Sequence, residues 1–273
     1  MTGGVTTTTD TGTETRTVVD IRGVSKVFNA GRPGELTALT GFDLTIAPGE
    51  FVSLLGPSGC GKSTLLRLIG DLVAPSAGTL TVNGKPPDRA RRDRDYGMVF
   101  QTPTLFDWRT VARNVALPLE LAGMSRRDAR TRTMEMLDLV GLAEFADRRP
   151  WELSGGMQQR VAIARALSFE PALLLMDEPL GALDEMTRER MQTELLRIWS
   201  ETGTTVVFVT HSISEAVFLS GRVVVMSARP GRILGIVPTD LAYPREIATR
   251  EAPAYFAKIT EVRELLRTSD VVD

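Results

Sequence analysis

The sequence is poor in the residues that staple, anchor or decorate a chain. It has one cysteine, Cys60, so no disulfide framework can form within it, and a reducing compartment suits it. It has one histidine, His211, with no cysteine near it, which leaves a zinc site without ligands. No apolar run approaches the ~20 residues of a membrane-spanning helix, so any work at a membrane must run through a partner. Charge of neither sign dominates. The net charge is −2, from 32 basic and 34 acidic residues, and gives no global pull toward nucleic acid or anionic lipid. The opening MTGGVTTTTDTGTETRT has no apolar segment of the signal-peptide kind and reads as a disordered, Thr-rich tail over residues 1–17.

What is present is ample apolar material, 42% of 273 residues, enough for one large domain. Strand-like alternation begins at Val18 (VVDIRGVSKVF) and recurs in FDLTI, 42–46, before the turn pair Pro48-Gly49. FVSLLG, 51–56, has the texture of a buried strand, and the helix STLLRLIGDL follows it. VNGK, 82–85, reads as a hairpin turn in an antiparallel layer. From about 104 to 167 a helical period dominates, with Ser125-x-x-Asp128 as a capping box. Then ALLLMDE, TVVFVT and RVVVM alternate with helical stretches, the pattern of a mainly parallel sheet buried on both faces.

Gly56-Pro57-Ser58-Gly59-Cys60-Gly61-Lys62-Ser63-Thr64 fits the phosphate-loop pattern G-x-x-x-x-G-K-[ST], after a strand and at a helix start. Its backbone N–H groups suit a polyphosphate, Lys62 the β- and γ-phosphates, and Ser63 a Mg²⁺ ion. The expected fold is therefore α/β: a P-loop NTPase core with a mainly parallel sheet, an antiparallel β layer and an α-helical subdomain inserted at about 104–167, all within one nucleotide-binding domain over 18–273. Leu173 to Met176 lead into Asp177-Glu178, which falls at the C-terminal sheet edge where such folds hold ligands. Asp177 is a candidate Mg²⁺ holder and Glu178 a candidate general base. His211, ending VVFVT, reaches the same edge and is a candidate contact for a γ-phosphate or for the water near Glu178.

LSGGMQQR, 153–160, is different. It carries no acid, histidine or thiol, yet Ser154 can cap the helix QQRVAIARAL and leave backbone N–H groups open to an anion. Taken together, GPSGCGKST, Gln101 in VFQTP, LSGGMQQR, LLLMDEP, GALD and VTHS resemble the ordered motifs of the ATP-binding cassette ATPases, over nearly the whole length from Val18. The resemblance implies that LSGGMQQR is the family signature, half of a site completed by a second copy. Two cassettes pack head-to-tail and bury two ATPs, with Ser154, Gly155 and Gly156 closing each pocket on the γ-phosphate from the opposite subunit. It implies that Gln101 touches Mg²⁺ and links the core to the helical subdomain, and that Asp184 lies at the dimer seam. It gives Phe28 the role of stacking on adenine; the plain alternative for that ring is a place in the core.

The same resemblance implies an importer ATPase at the cytoplasmic face of the membrane, with an integral-membrane permease and an extracytoplasmic solute-binding protein, and no nucleic acid. TLFDWRTVARNV, 104–115, and VVVMSARPGRI resemble the nitrate, sulfonate, taurine and pyrimidine-precursor branch. Phe106-Asp107 stands where relatives carry Leu-Pro before Trp108-Arg109. Leu105, Phe106 and Trp108 either receive a permease helix or fill the helical subdomain. Two other classes compete. A soluble cassette machine working on DNA or ribosomes carries paired cassettes, long arms or basic extensions; an inactive regulatory cassette lacks the chemistry that Lys62, Asp177, Glu178 and His211 supply here. Cys60 has two readings: a reactive thiolate at a helix N-terminus beside Lys62, or a side chain packed beneath the loop.

Overall fold

Successive residues of the central strands point to opposite faces, and both faces are apolar; this decides the layering. The computed structural model describes residues 17–269. The tail expected over 1–17 therefore lies, except for Thr17, outside the described residues. In chain order the strands are β1 (Val19–Phe28), β2 (Leu36–Ile46), β3 (Phe51–Leu55), β4 (Ala77–Val82), β5 (Tyr96–Val99), β6 (Leu173–Asp177), β7 (Thr205–Thr210), β8 (Arg222–Met226) and β9 (Ile233–Pro238). The helices are α1 (Lys62–Ile69), α2 (Pro87–Asp93), α3 (Val111–Leu121), α4 (Arg126–Leu139), α5 (Gly155–Leu167), α6 (Glu185–Thr202), α7 (Ile213–Leu219) and α8 (Pro253–Ser269).

The larger sheet has the order β5-β6-β7-β3-β8-β9, parallel except for β9, which runs antiparallel along β8. Phe51, Leu55, Leu174, Met176, Val206 and Phe208 face one core, shared with α5, α6 and α7. The alternate residues Val52, Leu54, Leu173, Leu175, Val207 and Val209 face the other, with α1 and the small sheet. The small sheet is antiparallel, in the order β2-β1-β4. Phe51, Phe208 and Phe218 are fully buried, and truncating such a ring to alanine costs about 3–5 kcal/mol.

Local sequence chemistry sets the helix starts. The side chains of Thr110, Ser125, Ser154, Asp184 and Ser212 each accept the backbone N–H three residues on. At Ser125 the box is closed differently from the expected pattern: the hydroxyl also donates to the Asp128 carboxylate at 2.7 Å. Asn83-Gly84 is a tight turn with φ 51° and 73°, and Val82 and Lys85 exchange backbone hydrogen bonds across it. The turn sits in the antiparallel layer, as its sequence predicts, but past the single Val82–Lys85 bridge no hairpin forms, and β4 pairs along its length with β1. Helices α3, α4 and α5 lie between β5 and β6 in the chain and pack on one another. Beyond RVVVM, where the sequence reading placed no further element, β9 and α8 close the core over α7. Arg245 fixes that closure by donating to the carbonyls of Val217, Phe218 and Ser220 at the end of α7. No described helix is long and apolar enough to cross a membrane.

Candidate nucleotide site

The strand order brings the candidate residues together. β6, β7 and β3 are neighbours in a parallel sheet, so their C-terminal ends emerge side by side. The phosphate loop follows β3, Asp177-Glu178 ends β6, and His211 follows β7.

The loop is shaped by close approach. Gly61 has φ 102°, and a Cβ there would stand 2.9 Å from the Ala38 carbonyl oxygen and 2.7 Å from the Leu39 side chain, so only glycine fits. Lys62 Nζ lies back along the loop and donates to the carbonyls of Gly56 at 2.7 Å and Pro57 at 3.0 Å. Ser63 Oγ donates to Asp177 Oδ1 at 2.8 Å. Two of the three residues assigned to Mg²⁺ on sequence, Ser63 and Asp177, therefore meet directly, and Gln101 is the third. One hydroxyl and one carboxylate are hard oxygen donors, and Mg²⁺ characteristically takes its remaining ligands from phosphate and water. The residues present fit that ion.

Glu178 has φ 46°, rare for a residue with a side chain, and its N–H donates to the Val209 carbonyl at 3.0 Å. The bend turns the chain off β6, and Glu178 Oε2 comes to 3.2 Å from His211 Nδ1. The amide of Gln101 lies over Gly181, three residues past Glu178, with Nε2 at 3.1 Å from the Cβ position there. The segment around Gln101 is held from α5: Gln159 Nε2 donates to the Phe100 carbonyl at 3.1 Å, and Arg165 donates to those of Pro103 and Thr104.

A cleft beside the loop is lined by Phe28, Leu36, Ala38, Ser58, Gly59, Gly61, Lys62, Ser63, Thr64, Glu178 and Arg229. Phe28 thus faces the cleft with a half-buried ring, under the Lys26 ammonium at 4.9 Å, and the core reading of this ring does not hold. Ser154, Gly155 and Gly156 do not line the cleft; the hydroxyl of Ser154 accepts the Met157 N–H at 3.3 Å, and Ser154 and Gly155 are exposed. Asp184 caps α6 through the Thr187 N–H at 3.0 Å, and hydrogen bonds from the Thr187 hydroxyl first, and then from backbone N–H groups, hold its carboxyl below the usual range.

The reactive reading of Cys60 is corrected. Its side chain is 1% exposed and packs in the core beneath the loop. Burial pushes the thiol up, against the opposing pull of Lys62. A helix N-terminus and a lysine favour a thiolate only where solvent reaches the sulfur. The aromatic stretch after Gln101 divides: Leu105 packs against the core, whereas Trp108 is 71% exposed, with the Phe106 ring 4.7 Å away.

Two residues at the site escaped the sequence reading. Arg229 belongs to SARPGR, which pointed to a branch of relatives but to no contact. Glu215 is buried, and it accepts hydrogen bonds from Gln192 Nε2 at 3.2 Å and from the Thr210 hydroxyl beside His211. Its spacing from Ser212 is that of a capping box, but its carboxylate turns inward instead.

A parallel-sheet core with a phosphate loop, an acidic strand end and a histidine on one edge defines a P-loop nucleotide-hydrolysing cassette. The family described as ABC transporter matches residues 39–181, and the chain belongs to that family of ATPases. It is 50% identical over 226 residues to a putative ATP-binding protein of Brucella abortus (strain 2308), across 83% of this chain and 86% of the relative. It is 46% identical over 254 residues to a taurine import ATP-binding protein of Rhizobium johnstonii, across 90% of this chain and 95% of the relative. Among solved structures, a dimeric post-hydrolysis state of an ATP-binding cassette bound to ADP and phosphate superposes with a TM-score of 0.69 at 38% identity, covering 81% of this chain and 98% of that one.

Proposed function

We propose that this chain is the ATP-hydrolysing subunit of an importer, in which two copies bury two MgATP between them and drive a separate permease from the cytoplasmic face of the membrane. The observation that carries this reading is the division of the chemistry. The loop and Glu178 line one cleft, and Asp177 and His211 join it through Ser63 and Glu178, while the signature residues lie outside it, with Ser154 and Gly155 exposed and Gly156 buried. A helix N-terminus with free N–H groups and no catalyst is complete only when another copy brings its phosphate. The dimeric cassette holding ADP and phosphate supports the same arrangement.

In this reading the N–H groups of the phosphate loop and Lys62 grip the β- and γ-phosphates. Ser63 and Asp177, with Gln101 alongside, hold Mg²⁺, which neutralises charge on the phosphoryl oxygens when bound. Glu178 takes a proton from the water that attacks the γ-phosphorus, and the bond to the β,γ-bridging oxygen breaks to leave ADP. His211, 3.2 Å away, orients Glu178 and touches the γ-phosphate. Ser154, Gly155 and Gly156 of the second copy donate to that phosphate. Phe28 stacks on adenine.

The permease side rests on two exposed indoles. Trp108 is 71% and Trp151 64% exposed. Arg149 joins them, donating to the Trp108 carbonyl and lying 5.9 Å from the Trp151 ring. Exposed aromatics held in place by an arginine suit a protein partner. Relatives named for taurine import and for nitrate import support a solute of the sulfonate or nitrate type; an extracytoplasmic binding protein that delivers it is part of the same proposal. Purification of the tagged chain from detergent-solubilised membranes tests the proposal. An integral-membrane protein should co-purify, and the complex should turn over MgATP. Recovery with ribosomes or nucleic acid instead would overturn it.

A further inference from the structure

The turn between β8 and β9 is pressed against the phosphate loop. Its own hydrogen bonds tighten it: the Ser227 hydroxyl contacts the carbonyls of Ala228 and Pro230 and accepts the Arg232 N–H at 3.0 Å. Gly231 fastens it to β2, donating to the Ala38 carbonyl at 2.9 Å and accepting from the Thr40 N–H at 3.1 Å. A Cβ on Gly231 would fall 2.0 Å from the Cys60 carbonyl oxygen, so no other residue lets the turn come this close.

That approach delivers Arg229. Its Nε donates to the Gly59 carbonyl at 2.9 Å, and Nη2 lies 2.6 Å from the position a Gly59 Cβ would take. The guanidinium is exposed and lines the same cleft as Lys62, Ser63 and Thr64. Among the described residues no carboxylate forms an ion pair with it. An arginine has five N–H donors in a rigid fork and stays charged at any working pH. Here one donor is spent on a neutral carbonyl, which fixes the fork, and the rest face a site built for polyphosphate.

We propose that Arg229 is a nucleotide-contacting residue, a second cation of the phosphate cleft beside Lys62, clamped by the Gly59 carbonyl so that its terminal nitrogens meet the phosphate chain of bound ATP. The proposal rests on the cleft being the nucleotide site. It also makes the β8–β9 turn part of the binding site, although it lies about 170 residues from the loop in sequence.

The test is titration of the full chain with fluorescent ATP and ADP analogues at several salt concentrations, for wild type, Arg229→Gln, Arg229→Lys and Lys62→Ala. Thermal melting without nucleotide, run in parallel, checks the fold. A glutamine keeps a donor for Gly59 but no charge; a lysine keeps the charge. Arg229→Gln should bind the ATP analogue on the order of 10-fold more weakly, as expected for a lost charge-assisted hydrogen bond. Arg229→Lys should lose less, and the gap between wild type and Arg229→Gln should shrink as salt rises. Arg229→Gln binding within about twofold of wild type, or Gln and Lys variants equally weak with a salt-independent gap, would overturn the proposal and leave Arg229 as a latch on the loop. Wild type and Lys62→Ala binding alike would instead remove the assignment of the cleft to nucleotide, and the proposal with it.

Discussion

His211 Nδ1 lies 3.2 Å from Glu178 Oε2, although the two residues follow different strands, β7 and β6. Glu178 adopts φ 46° at this point, a conformation retained where the surroundings enforce it. If this pair activates water, Glu178→Gln should bind ATP, hydrolyse it poorly and accumulate as an ATP-dependent dimer that ADP does not support. Adding Ser154→Arg should abolish the dimer, because the side chain would occupy the γ-phosphate position. Sedimentation with each nucleotide measures both. An Arg-bearing double variant that still dimerises would contradict the half-site.

Ser63 Oγ and Asp177 Oδ1 lie 2.8 Å apart and Lys62 Nζ donates to the Gly56 carbonyl; these three carry the proposed metal and phosphate contacts. Lys62→Ala and Asp177→Asn should each lower MgATP turnover by on the order of 10²-fold or more. Phosphate release under saturating MgATP is the readout. Near-normal turnover in Lys62→Ala would remove the phosphate-loop assignment.

Cys60 is sealed in the core, and burial raises its thiol. A maleimide should label the native chain only as fast as the loop opens, while the unfolded chain takes one adduct at once. Intact mass against time distinguishes the two. Rapid labelling of native protein would show the sulfur to be accessible.

Glu215 gives a pH signature. Burial raises its carboxyl above the ordinary 4.5, outweighing the hydrogen bonds from Thr210 and Gln192. The unfolded chain therefore releases this proton at lower pH than the folded one. As pH rises from 4.5 the folded state binds more protons, so stability falls until the raised folded value is passed. Glu215→Gln cannot ionise and should lack that slope. Denaturation midpoints between about pH 4 and pH 8 should show wild type losing ground to the variant with rising pH. Parallel curves would show that the buried carboxyl does not titrate differently on folding.

Trp108→Ala should leave ATP turnover by the isolated chain little changed and weaken recovery of the permease. Its ring is exposed and contributes nothing to the cleft lining. Unchanged co-purification would move the docking surface elsewhere.

The sequence by itself determined the parts that depend on local spacing. A phosphate loop needs its glycines at fixed offsets from Lys62, so the motif is its own evidence. Buried parallel strands read as continuous apolar runs, so Asp177, Glu178 and His211 could be assigned to a strand edge before any neighbour was known. Ser154 and Ser125 announced helix starts because a cap acts only three residues ahead. The tertiary structure decided what depends on remote partners. Which strands adjoin is set by packing on both sheet faces, and only that brings Ser63 within hydrogen-bond reach of Asp177, 114 residues away. Cys60 carried two readings because the direction of its side chain follows from what fills the space under the loop. Leu105 and Trp108, three residues apart, separated into core and surface for the same reason. Arg229 left no local sign of its place, since its neighbour Gly59 reaches it only when the β8–β9 turn folds back onto the loop.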